Sequence, residues 1–143
     1  MTRASFFGYW AYDNLLILAK LKTISGDPAK LNKNGMYFWF VANVFSVISS
    51  IRNIGLIKSQ AAYYRKLIKE SPEKAELFKE KFAGLKAQKG VAIRGLLKSG
   101  FDGLTAASGA GLTEKMGWKL SDSIIGFNGV VSSLVACYEL YPK

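Results

Sequence analysis

Between Lys33 and Arg52 the chain runs for 18 residues, Asn34 to Ile51, without a single charge. As a helix this stretch would be about 27 Å long, at the short end of what crosses a hydrocarbon core about 30 Å thick. Lys33 and Arg52 then stand at the two interfaces, where their stems can snorkel. The cluster Tyr37, Phe38, Trp39 and Phe40 sits at one end, as an aromatic belt does. A buried element of a soluble domain could share this composition; the charge-free length favours a membrane helix.

A second uncharged run lies in the tail, SDSIIGFNGVVSSLVACYELYPK, between Asp122 and Glu139. A water-soluble helix avoids glycines because each costs about 1 kcal/mol against alanine. In lipid, helices associate by close backbone approach at small residues. Gly129 with Ser133, and Ser132 with Ala136, have that spacing, and Cys137 extends the first row. The run is short for a span. It lengthens if Tyr138, Glu139 and Tyr141 sit in the interface and Pro142 closes the helix. A soluble helix hairpin packed through the same small face is the competing reading.

Composition narrows the function classes. Twenty Lys and Arg against ten Asp and Glu give a net charge of +10 in a chain that is half hydrophobic. Strong basicity alone points to nucleic acid or an anionic surface; basicity joined to this much apolar content favours anionic lipid headgroups, with no nucleic acid expected as partner. The absence of histidine removes a Ser-His-Asp mechanism around Ser133. One cysteine, Cys137, gives neither a disulfide framework nor a Cys/His zinc site, and it is expected as a small buried residue. GLTAASGAG lacks the order of a phosphate-binding loop. No enzyme activity, metal or cofactor is expected.

The remaining segments fill one domain of 143 residues. A first helix is expected over 4–22, with Phe7, Trp10, Asn14, Ile17 and Leu21 on one side. Asp13 and Asn14 interrupt its aromatic start, and no small-x-small site follows, which argues against a signal peptide. The ending YPK is not a Ser-Lys-Leu address. If the first helix also crosses, Asp13 needs a partner inside the bundle, Lys20 or Arg52. SGDPAKLNKNG reads as a loop, followed by the apolar helix over 35–52. The stretch 58–90 is charged and amphipathic. Ser71, Pro72 and Glu73 read as a helix start. Ala75, Phe78, Phe82 and Leu85 then form a narrow apolar stripe, facing a headgroup layer or a neighbouring helix. Glu73, Glu76 and Glu80 dilute the basic face and favour the neighbour. The Gly-rich region 99–120 is expected as a short helix to about Thr105 and then a turn, before the final helix over 122–141. The fold class is therefore all-α: a helical membrane bundle with two transmembrane helices plus amphipathic helices.

These residues resemble the peroxisomal biogenesis factor 11 (peroxin-11) family. The tail carries its G-x-x-G-hydrophobic-S-S-hydrophobic helix as Gly126, Gly129, Val130, Val131, Ser132, Ser133 and Leu134. Tyr12, Asp13, Asn14 and Lys20 match an aromatic-x-x-[DN]-N stretch with a following lysine, and Tyr37 to Phe40 with Ser49, Ser50 and Arg52 match its aromatic helix. Phe101, Asp102, Leu104 and Ala106 match loosely, with a glycine inserted. Asn53 stands where an acid often follows the arginine, and the family's loop proline is absent. The resemblance runs through the whole chain but corresponds to about the C-terminal half to two-thirds of a typical member. The N-terminal amphipathic region implicated in tubulation has no counterpart here, as expected of a truncated chain or a short branch.

The resemblance implies an integral protein of the peroxisomal (or glycosomal) membrane. Its expected role is elongation, fission and proliferation of the organelle, through self-association and recruitment of fission machinery. On that reading Gly126, Gly129, Ser132, Ser133 and Ala136 are helix-packing and oligomerisation residues. Ala75, Phe78, Phe82 and Leu85 face membrane or partner, and Asp13, Asn14 and Arg52 are intramembrane or interfacial polar groups. A metabolite channel lined by Asn14, Asn43, Ser46 and Asn128 is the alternative, and a soluble basic nucleic-acid binder the third reading. One conflict stands: with two spans, Arg52 to Lys119 lies on one side and holds fourteen of the twenty Lys and Arg. The positive-inside rule puts that segment in the cytosol, whereas cytosolic termini, usual for the family, put it in the matrix.

Overall fold

A computed structural model describes residues 2–71, 73 and 75–141, the side chain of Ala75 excepted. The described residues form helices α1 (Thr2–Lys20), α2 (Pro28–Glu70), α3 (Ala75–Gly109), α4 (Leu112–Lys115) and α5 (Asp122–Leu140), and no strand. The all-α fold class holds, and α2 and α5 are long and apolar enough to cross a membrane.

Local chemistry sets the ends. Lys22 adopts a left-handed φ of 57°, and the N–H groups of Lys22 and Thr23 donate back to Ala19 and Leu18, closing α1. Asp27 then caps α2 by accepting from the Ala29 N–H, with Pro28 as the first helical residue. The stretch read as a loop therefore belongs largely to α2: Pro28 starts the helix, and Asn34 and Gly35 lie within it. Ser71 closes α2, its N–H donating to Leu67 O; Pro72, the next residue of the expected helix start, lies outside the described residues. Ser121 is the N-cap of α5, accepting from the Ile124 N–H.

The long helices α2 and α3 are about 65 and 52 Å in length and form an antiparallel hairpin. Gly109 meets Met36, Gly103 meets Asn43, Gly95 meets Ser50, and Phe78 meets Tyr64. α1 packs along the first half of α2, and α5 along the second half of α3, giving the side-by-side order α1, α2, α3, α5. The Gly-rich region does not break α3 at Thr105. The helix continues to Gly109 because its small residues face α2 closely: a Cβ on Gly103 would stand 3.4 Å from that of Asn43. The charged stretch 58–90 is likewise two antiparallel halves, one on each helix.

The chain divides into two regions along this axis. Near residues 34–51 of α2, three other helices run alongside. Beyond Arg52 and Arg94, among the described residues, only the α2–α3 hairpin continues; residues 53–93 hold nine of the twenty Lys and Arg.

A four-helix row has little interior. The buried apolar residues are mostly alanines: Ala19, Ala42, Ala106, Ala107 and Ala110, with Leu16, Ile57 and Leu85. A soluble monomer of this mass is expected to expose about 7,300 Å²; this chain exposes 10026 Å².

Candidate membrane and self-association surface

α5 is inverted relative to a helix in water. Among the described helices it packs on α3 alone, and the residues it buries are polar: Asn128 is 3% exposed and Ser132 5%. Its large apolar residues face away, with Phe127 62%, Val130 59% and Leu134 64% exposed. Eighteen large apolar or aromatic side chains on α1, α2 and α5 are exposed; left in water they would cost about 25 cal/mol per Å², whereas hydrocarbon takes them without loss. Burying the polar side instead suits lipid, where polar and small groups meet between helices.

The two small-residue rows of the tail separate. Ser132 is buried against the rest of the chain and Ala136 half-buried, so this row serves the packing on α3. Gly126, Gly129 and Ser133 are exposed, and a Cβ placed on Gly126 or Gly129 would meet nothing within 4 Å. Cys137 continues the exposed row and is itself exposed, contrary to the expectation of a buried thiol. Positions 129, 133 and 137 are one turn apart, so the face that seemed interior in a soluble helix is an outer face here.

The stripe on α3 is already partly covered. Leu85 is buried, Phe78 and Phe82 are half-buried, the Phe78 ring lies 6.1 Å from that of Tyr64, and the Arg65 guanidinium lies 5.3 Å from the Phe82 ring. These residues pack on α2; the side chain of Ala75 lies outside the described residues.

The polar candidates lie at the edges of the apolar region. Asp13 is exposed and lines a small crevice with Asn32 and Gly35, at the level of Lys33. It forms no ion pair among the described residues, so the expected pairing with Lys20 or Arg52 does not occur. Asn14 Nδ2 donates to Trp10 O, 2.8 Å away on the same helix. Arg52 is exposed at the other edge. The four residues offered as a channel lining sit in separate places: Asn14 on the outside of α1, Asn43 and Ser46 bonded to carbonyls of α2 itself, and Asn128 between α5 and α3.

Two contacts neutralise charge where α3 passes through the apolar region. Lys98 Nζ lies 2.6 Å from Asp102 Oδ2, and Arg94 pairs with Glu139 of α5 while standing 5.0 Å from the Tyr138 ring. Paired in this way, such groups are tolerated within or beside a bilayer.

Sequence reasoning missed the α2–α3 seam. Small residues recur at every fourth position of α3, Gly95, Ser99, Gly103 and Ala107, and that row was the available signal. Beside it lies an apolar cleft of about 580 Å³, lined by Val44, Ile48, Gly100, Leu104, Met116 and Trp118.

The arrangement defines a class: a helical protein with a polar-inward, apolar-outward membrane-type region and a charged helical hairpin. The chain belongs to the family Peroxisomal biogenesis factor 11 (PEX11), whose model it matches over residues 1–141. No curated protein and no solved structure matched the chain.

Proposed function

We propose that this protein is integral to the peroxisomal membrane and promotes elongation and proliferation of the organelle by self-association. The observation that carries the reading is the inverted polarity of α5, with Asn128 and Ser132 inward and Phe127, Val130 and Leu134 outward. Family membership supplies the organelle and the biogenesis role. The exposed row Gly126, Gly129 and Ser133, with open space above both glycines, is the self-association surface; recruitment of fission machinery follows as a consequence of that assembly.

The hairpin geometry supports an orientation that removes the conflict over charge. α3 runs back through the apolar region, so residues 52–94 lie on the same side as the end of α5, and residues 110–121 lie on the other. The basic hairpin and the C-terminal end then share the cytosolic side, as the positive-inside rule favours.

The test is expression of a tagged chain with alkaline carbonate extraction and counting of peroxisomes in the same cells. Retention in the pellet with longer or more numerous peroxisomes is expected, and loss of the effect in the double variant Gly129→Leu/Ser133→Leu. Release into the supernatant would overturn the spanning assignment, and retention without any change in organelle number would overturn the remodelling role.

A further inference from the structure

The projecting hairpin carries a groove of about 550 Å³ between α2 and α3, a size that accepts side-chain anchors. Its floor is apolar, with Ile57 and Leu85 buried and Ala61 and Phe82 beside them. Its rim is uniformly cationic: Lys58, Arg65, Lys86 and Lys89, with no acid among the lining residues. None of these four has a carboxylate partner among the described residues, whereas Lys66 and Lys79 pair with Glu70 and Glu76 of their own helices. Residues 52–94 together hold eleven Lys and Arg against four Glu. Four like charges without a carboxylate partner among the described residues, Arg65 stacked over Phe82, repel one another around one apolar trough, and an anionic occupant relieves that repulsion.

We propose that this groove docks an acidic amphipathic helix of a partner protein from the aqueous side; the inference rests on the membrane reading given above. Position decides between a protein and the bilayer's own headgroups. Along the helix axis, Lys58 lies about 9 Å and Arg65 about 20 Å beyond Arg52. A tilt of about 40° still leaves them about 7 and 15 Å out. The headgroup layer is only about 5–7 Å deep on each side. Most of the groove therefore stands in water, out of reach of the lipids in which the same chain is embedded. An apolar trough between two helices, flanked on both sides by cations, is complementary to a helix with leucines at i, i+3 and i+7 and glutamates on its flanks.

The experiment uses the full chain in nanodiscs of neutral phosphatidylcholine, titrated with a fluorescein-labelled stapled helix of that design. A saturable rise in anisotropy is expected, falling steeply with salt. The double variant Lys58→Glu/Lys86→Glu should weaken binding by at least about tenfold, and a peptide with lysines only at the glutamates that face positions 58 and 86 should bind that variant and restore the affinity. Equal binding of a scrambled peptide, or an unchanged affinity after the charge reversal, overturns the proposal. Displacement of the peptide by phosphatidylserine vesicles that bind with the same lysine dependence also overturns it, in favour of a second membrane as occupant. Stable incorporation into the disc is scored first. A chain that fails to incorporate counts against the membrane reading, whereas a fully incorporated chain that ignores the peptide counts against the groove alone.

Discussion

The Arg94 guanidinium pairs with the Glu139 carboxylate, tying the last turn of α5 to α3 at the level where the hairpin leaves the four-helix region. Both side chains are only partly exposed, at 26% and 33%, and Tyr138 stands beside them on the same turn. Replacing Arg94 with methionine keeps the packing stem and removes the charge. The loss expected in a detergent unfolding titration is about 1 kcal/mol. The swapped pair Arg94→Glu/Glu139→Arg should recover most of it; no recovery would mean that packing on Tyr138, and not the ion pair, holds this end.

Gly8 and Gly126 should respond oppositely to alanine. A Cβ on Gly8 would come within 2.6 Å of Phe38 Cδ1, a ring already stacked on Tyr12 at 5.5 Å between centroids. Gly8→Ala is expected to destabilise by about 1–3 kcal/mol through overpacking. Gly126→Ala meets nothing within 4 Å, so helix propensity alone acts and the isolated chain gains up to about 1 kcal/mol. Unfolding titrations of the two variants in the same detergent read the difference in sign.

Cys137 is a built-in reporter for the exposed row of α5. If two copies meet through Gly129 and Ser133 in a parallel crossing, the two thiols one turn further on approach each other. Mild oxidation of membranes should give a disulfide-linked dimer, reversed by reductant. Gly129→Leu should reduce the dimer severalfold without loosening the chain, because no intrachain neighbour occupies that space. An equal yield from Gly129→Leu would remove the row as the contact.

The uncharged runs made the apolar part of α2 and the whole of α5 legible, since a charge-free stretch of that length is a strong constraint in any solvent. The hairpin was not legible. The glycines of α3 look like helix breakers under the propensities measured in water, yet Gly95 and Gly103 sit in a seam where absence of a side chain lets α2 approach. A serine followed by proline suits the end of one helix as well as the start of the next, and only the fold shows the Ser71 N–H closing α2 on Leu67 O. The two rows of the tail share the same spacing, and only the packing on α3 distinguishes Ser132 from Ser133. The surroundings of Asp13 were not legible because they depend on how α1 lies along α2, which brings it to a crevice with Asn32 and Gly35 and not to Lys20 or Arg52.

Spin labels at single positions of α5 test the membrane account most directly, in a chain with Cys137 replaced by serine and reconstituted in bilayers. A label at Val130 should show high oxygen accessibility and low accessibility to a water-soluble nickel chelate, while a label at Ser132 should be shielded from both. Ready access of the nickel chelate to the label at Val130 would contradict a lipid-facing α5.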